Sequence, residues 1–76
     1  MLDLVEFVVT NLVDNPKDVK IKEIQGETTT ILEVAVAKDD LGKIIGRQGR
    51  VINALRELVR ASLKKGDNKV LIEVLS

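Results

Sequence analysis

Two glycines three residues apart, with an arginine between them and cations on either side, make Gly46-Arg47-Gln48-Gly49 the stretch of this chain whose residue types could do chemistry. Glycine lets a main chain approach a sugar-phosphate backbone without interference from a Cβ. A helix that starts just after such a loop offers unpaired N–H groups and the positive end of its dipole. Lys43, Arg47 and Arg50 add formal charge to that approach. The loop is therefore a candidate for holding a polyanion, and the plainer alternative is a tight turn between two packed helices. Arg56, Arg60 and Lys64 follow at four-residue spacing on one helix face, where they either extend the positive surface or simply solvate the helix.

The charge distribution points the same way. The 76 residues carry 12 basic and 12 acidic side chains and no net charge. Residues 1–42 hold four lysines against nine acids, a balance of −5, whereas residues 43–65 hold seven cations, all four arginines among them, against Glu57 alone, a balance of +6. A cationic block in an otherwise acidic chain is the footprint of a surface that meets a polyanion. Other chemistries are excluded by what is missing. With no cysteine and no histidine there are no thiolate nucleophiles, no imidazole bases and none of the zinc sites those ligands build. Ser62 and Ser76 have no base to activate them, so an enzyme is not expected. Gly42-Lys43 is followed by Ile44 instead of Ser or Thr and is preceded by Ala37 where a nucleotide-binding loop needs glycine, so no nucleotide cofactor is expected. Asp39 and Asp40 lack a third metal ligand and are expected to be exposed to solvent, one of them capping the next helix. A single phenylalanine, with no tyrosine or tryptophan, leaves no aromatic platform on which bases could stack.

The elements that must position the loop follow from periodicity. Leu2, Val5, Val8, Val9, Leu12 and Val13 recur at helical spacing, and Asp14-Asn15-Pro16 ends that helix. Phe7 projects away from its apolar arc. Val19–Gln25 and Thr28–Ala37, separated by Gly26-Glu27, predict an antiparallel hairpin with Leu32, Val34 and Val36 on one face. A short helix through Lys43-Ile44-Ile45 must break at Gly46. A longer one over Arg50–Lys65 has Val51, Ile52, Leu55, Leu58, Val59 and Leu63 on its apolar arc, and Gly66 stands where a C-terminal cap is expected. Lys69–Leu75 is the last strand. A chain of this length buries only roughly 60% of its unfolded surface, which leaves room for one core and places function on the surface. No apolar run approaches the roughly 20 residues of a membrane span. Met1-Leu2-Asp3 lacks the positive start of a signal peptide, so the expected location is cytoplasmic.

The run Gly42-Lys43-Ile44-Ile45-Gly46-Arg47-Gln48-Gly49-Arg50-Val51-Ile52 resembles the signature of the K-homology (KH) domain, in which two apolar residues, a GxxG loop and a hydrophobic helix come in that order. The order of the six elements is similar to the type II arrangement. The whole chain, through its leading helix, Asp40-Leu41-Gly42-Lys43 and the loop, resembles the small single-domain bacterial KH proteins of the KhpA (YlqC-like) type. This resemblance implies an α+β fold, helix-strand-strand-helix-helix-strand, with three helices packed on one face of a three-stranded mixed sheet and residues 1–76 forming one type II KH domain. It implies a cytoplasmic protein, an RNA chaperone or post-transcriptional regulator, linked in some bacteria to cell elongation and peptidoglycan homeostasis. Its partners would be single-stranded RNA, a second copy of the chain and a larger KH-containing protein of the KhpB/Jag type, with no cofactor and no metal. The RNA would be held by Lys43, Ile44, Ile45, Gly46, Arg47, Gln48, Gly49 and Arg50, with Arg56 and Arg60 extending the surface. Bases would lie on an apolar floor to which Ile44, Ile45 and the edge of the second strand contribute. The alternative is a dimerisation module of the same fold with little affinity for RNA. Phe7 and the small residues Ala54 and Ala61 could serve such an interface, unless Phe7 packs on a sheet edge or loop of its own chain.

Overall fold

The structure, a computed structural model, describes residues 1–75; Ser76 lies outside the described residues. Helix α1 (Leu2–Leu12) turns Val5 and Val9 fully into the core. Leu12, expected on the buried arc, is 38% exposed, because Val13 leaves the helix in an extended conformation and is the residue that reaches inward. A single turn at Pro16–Asp18 then leads to β1 (Lys20–Gln25). Gly26 N–H donates to the Thr29 carbonyl at 2.8 Å and closes the hairpin to β2 (Thr29–Ala35).

β2 alternates between the two faces, with Thr30, Leu32 and Val34 buried. It pairs antiparallel with β1, Ile21 beside Val34 and Glu23 beside Leu32, and parallel with β3 (Lys69–Val74), Leu32 beside Ile72. The sheet order is β1-β2-β3, a mixed sheet in which β2 is the middle strand. Parallel neighbours need a crossover, which α2 (Leu41–Ile45) and α3 (Arg50–Ser62) supply. Ile44 from α2 and Ile52, Leu55 and Val59 from α3 meet Leu32, Val34 and Ile72 of the sheet and Val5 and Val9 of α1 in one core. All three helices therefore lie on one face. The other face is uncovered, and Ile24 and Leu71 there are each 40% exposed.

Two expectations about α3 are corrected. The helix ends at Ser62, three residues before Lys65, because the Asp67 carboxylate accepts the Lys64 N–H at 2.8 Å and competes for the donor that another helical turn would need. Leu63 is already extended, and Gly66, at φ 94°, belongs to the turn that follows and does not cap the helix. Leu58 is 46% exposed and stands with Val8 and Leu12 along a cleft that α1 and α3 leave open. Phe7 is 67% exposed and so does not pack on a sheet edge or loop of its own chain.

Candidate nucleic-acid interface

The loop between α2 and α3 is built from backbone that ordinary side chains resist. Gly46 (φ 76°, ψ 172°) ends α2, Gln48 (φ 55°, ψ 28°) is left-handed, and Gly49 (φ 77°, ψ 14°) precedes α3. Gly49 N–H donates to the Gly46 carbonyl at 3.1 Å and closes the turn. A Cβ on Gly46 would stand 2.5 Å from Val51 Cγ2 and 2.8 Å from the Val51 amide nitrogen, so the loop can press against α3 only as glycine. Arg47 and Gln48 at the tip are exposed, and no side chain caps the start of α3. The tight turn is thus real, and what it presents outward is an arginine, an amide and the beginning of a helix.

The cations named from the sequence separate into several roles. Lys43 forms an ion pair with Asp14 and lies 3.6 Å from an oxygen of Asp40. The bond to Asp14 holds its ammonium above the usual lysine range, partial burial works against this, and the charges of Asp14 and Asp40 reinforce it. Arg60 pairs with Glu57 at 2.8 Å on an exposed helix face, an arrangement of small energetic consequence. Arg56 reaches across to β3, donating from Nη2 to the Ile72 carbonyl at 2.9 Å and from Nε to the same oxygen at 3.3 Å. Arg47 and Arg50 form no ion pair among the described residues, which leaves them as the unengaged charges nearest the loop. Arg56 and Arg60 line a cleft of about 420 Å³ between α3 and β3, together with Leu63 and Val70. Arg50 instead borders the α1/α3 cleft with Leu12 and Leu58. The positive surface is therefore not a single stripe.

Three placements depart from the sequence reading. Ile44 is 1% exposed and belongs to the core, since α2 turns that face onto the sheet; Ile45, at 37%, is the exposed one of the pair. The second strand has no free edge, because β1 and β3 flank it. The edge that borders the helices' open side is that of β3. Asp40 is completely buried, neither solvated nor capping α2 with its side chain. Its carboxylate accepts the N–H of Asp14 at 3.1 Å, the N–H of Asn15 at 3.0 Å and the Asn15 side-chain amide at 3.0 Å. Burial alone would push this carboxyl up, yet these three donors and Lys43 hold it below the ordinary aspartate value. Asp40 thereby ties the end of α1 to the start of the helix that carries the loop.

Sequence reasoning missed Asp14, Asn15 and Asn53. The first two lie more than twenty residues from Asp40, with no local pattern to link them. Asn53 carried a signal: it stands four residues after Gly49 and three before Arg56, and it accepts Arg56 Nη1 at 3.3 Å.

A three-stranded mixed sheet backed by three helices, with a GxxG turn between the second and third of them, is the architecture of a KH domain. The chain belongs to the KhpA/KhpB KH-domain family, whose sequence model matches residues 2–74. It is 44% identical over 75 residues to the RNA-binding protein KhpA of Clostridium perfringens, covering 99% of this chain and all of that one. It is 45% identical over 75 residues to the RNA-binding protein KhpA of Chlamydia caviae, covering 99% of this chain and 96% of that one. To the protein of the same name in Borreliella burgdorferi it is 46% identical over 74 residues, covering 97% and 90% of the two chains. No solved structure matches this chain. The family is not an enzymatic one. Among the described residues no helix is long and apolar enough to cross a membrane.

Proposed function

We propose that this chain binds single-stranded RNA, with the phosphates held at the Gly46–Gly49 turn and the bases directed into the cleft between α3 and β3. The observation that carries the reading is the loop itself, where Arg47 stands exposed on a backbone closed by Gly46 and Gly49 and Arg50 follows unpaired at the start of α3. The relatives' common description as RNA-binding proteins supports it. The open cleft between α3 and β3 is of a kind that accepts unpaired bases.

The expected binding is led by electrostatics and weak for one domain. With about two to four phosphate contacts, log Kd against log salt should have a slope of magnitude roughly 1.5 to 3, taking about 0.7 per contact on a single strand. Titration of a single-stranded RNA and of the corresponding perfect duplex at several salt concentrations tests this. A slope near zero, or equal affinity for the duplex, contradicts the reading.

In the cell this activity is that of an RNA chaperone or post-transcriptional regulator in the cytoplasm. The chain pairs with a second copy of itself and with a larger KH-containing protein of the KhpB/Jag type, and serves cell elongation and peptidoglycan homeostasis; the heteromer and these cellular roles rest on the family alone. Self-association has support on the surface. Phe7 at 67%, Leu58 at 46% and Leu12 at 38% exposure are large apolar side chains left in water, and Ala54 lines the α1/α3 cleft together with Leu12 and Leu58. Light scattering at tens of micromolar is expected to give a dimer mass, with a melting temperature that falls on dilution. A monomer mass together with a concentration-independent melting temperature removes the homodimer. The same apolar surface is what favours the second reading, an interaction module with little RNA affinity.

A further inference from the structure

The free edge of β3 carries a hydrogen-bonding pattern with consequences for which bases fit. Lys69 N–H donates to the Thr28 carbonyl at 3.0 Å and Leu75 N–H to the Val34 carbonyl at 2.9 Å, so the odd-numbered residues of β3 turn their peptide groups toward β2. Peptide groups alternate along a strand, and those of Val70, Ile72 and Val74 therefore point to the open edge, the first two where the α3/β3 cleft lies. The Ile72 carbonyl is the acceptor that flanks the Ile72 N–H, and Arg56 covers it with two N–H groups while a third goes to Asn53. Asn53 in turn adjoins the loop, since a Cβ on Gly49 would lie 3.4 Å from its Nδ2. The turn, Asn53, Arg56 and the edge of β3 thus form one continuous wall.

What this wall offers a base beside Ile72 is donors. The Ile72 N–H points into the cleft, and a guanidinium has five N–H groups, of which Arg56 spends three on the protein. Of the carboxylates that line the cleft, Glu57 gives Oε2 to Arg60, and Glu73 stands at the outer rim on the sheet face away from the helices.

We propose that Arg56, by masking the Ile72 carbonyl, sets the base preference of the cleft toward bases with two adjacent acceptors and against adenine. This deepens the reading above and rests on it. Adenine presents an acceptor beside an amino donor on both of its exposed edges, N1 or N7 next to N6, and the amino group needs the carbonyl that Arg56 occupies. Cytosine presents O2 and N3 together, and guanine O6 and N7, to which arginine donates in bidentate fashion. Uracil, whose two carbonyl oxygens are separated by a donor, falls between.

The test is the affinity of equal-length oligocytidylate and oligoadenylate for the wild type, Arg56→Met and Arg60→Met, read by fluorescence anisotropy with circular dichroism as the folding control. The wild type is expected to favour oligocytidylate by roughly fivefold or more, the lower end of what one bidentate base contact contributes. Arg56→Met keeps the aliphatic stem and frees the carbonyl, so the ratio should collapse toward one or invert. Arg60→Met removes the same charge from the same cleft and should weaken both ligands while preserving their ratio. An unchanged ratio in folded Arg56→Met, or a wild type that favours adenine, overturns the proposal. Failure of the wild type to bind either oligomer overturns instead the RNA reading on which it rests. Should Arg56→Met not fold, titration of isotope-labelled wild type with oligocytidylate decides, since the Ile72 amide resonance is expected to be among those that move most, and a silent Ile72 amide rejects the assignment.

Discussion

Arg47→Asp combined with Gln48→Asp is expected to lower the affinity for single-stranded RNA by roughly tenfold to several hundredfold and to leave the fold intact. The glycines that make the turn are untouched, and both replaced side chains are exposed. Position 48 sits at φ 55°, a left-handed conformation that aspartate adopts more readily than most residues. The cost in stability should therefore stay within about 1 kcal/mol. A phosphate at the wild-type loop faces Arg47 and the start of α3; in the variant it faces two carboxylates, a change of three charge units. Each unit pair about 4 Å apart is worth roughly 1 kcal/mol in bulk water and more at a protein surface, which gives the range stated. RNA titrated against both forms, with circular dichroism to verify folding, checks the result. A folded double variant that binds as tightly as wild type would reduce the loop to a turn and leave the interaction-module reading in its place.

Asp40→Ala is expected to have a large effect on stability, a fall in melting temperature of roughly 10–25 °C, because three N–H donors lose a fully buried acceptor at once. Lys43 also loses one of its two carboxylates. The pH dependence follows from the direction of the shift. Burial alone would raise the Asp40 pKa, but the N–H donors of Asp14 and Asn15 and the charge of Lys43 bring it below 3.8, so the folded state holds the carboxylate ionised more strongly than the unfolded chain does. That contribution is complete above the unfolded value and is lost as pH falls below about 4 and on through the folded pKa. Thermal unfolding followed at pH 7 and at successively lower pH should show the wild type losing stability in that acid window and Asp40→Asn, which cannot ionise, showing a shallower decline. Equal melting temperatures for wild type and Asp40→Ala at neutral pH would mean that the Asp14-Asn15 turn holds without this anchor.

Local order was legible in the residues. The spacing of Val5, Val9 and Val13, the alternation of Leu32 and Val34, and the glycines at 46 and 49 mark elements whose cause lies within a few residues of themselves. Those causes survive into the folded chain, and six elements appear in the expected order, with β2 stopping at Ala35, two residues before the expected Ala37, and α3 shortened by a side chain five residues beyond its end. The resemblance carried by the GxxG run placed the fold, and the family match over residues 2–74 agrees with it.

The tertiary structure decided what those elements meet. Periodicity tells which face of a strand or helix is apolar, and says nothing about what covers it. Hence Leu58 and Leu12, apolar and in phase, end up in water, while Ile44 is buried where the sequence pattern left it available to a ligand. The same limit applies to charge. Lys43, Arg56 and Arg60 look alike as cations on a chain, and only the packing of α2 against the end of α1, and of α3 against β3, gives them Asp14, the Ile72 carbonyl and Glu57 as partners. Asp40 shows the reason most clearly. An aspartate beside another aspartate before a helix is, by every local rule, solvated, and it is buried because the turn after α1, more than twenty residues earlier, brings three N–H groups to it. Donors so distant in sequence exist for that carboxylate only once the chain has folded.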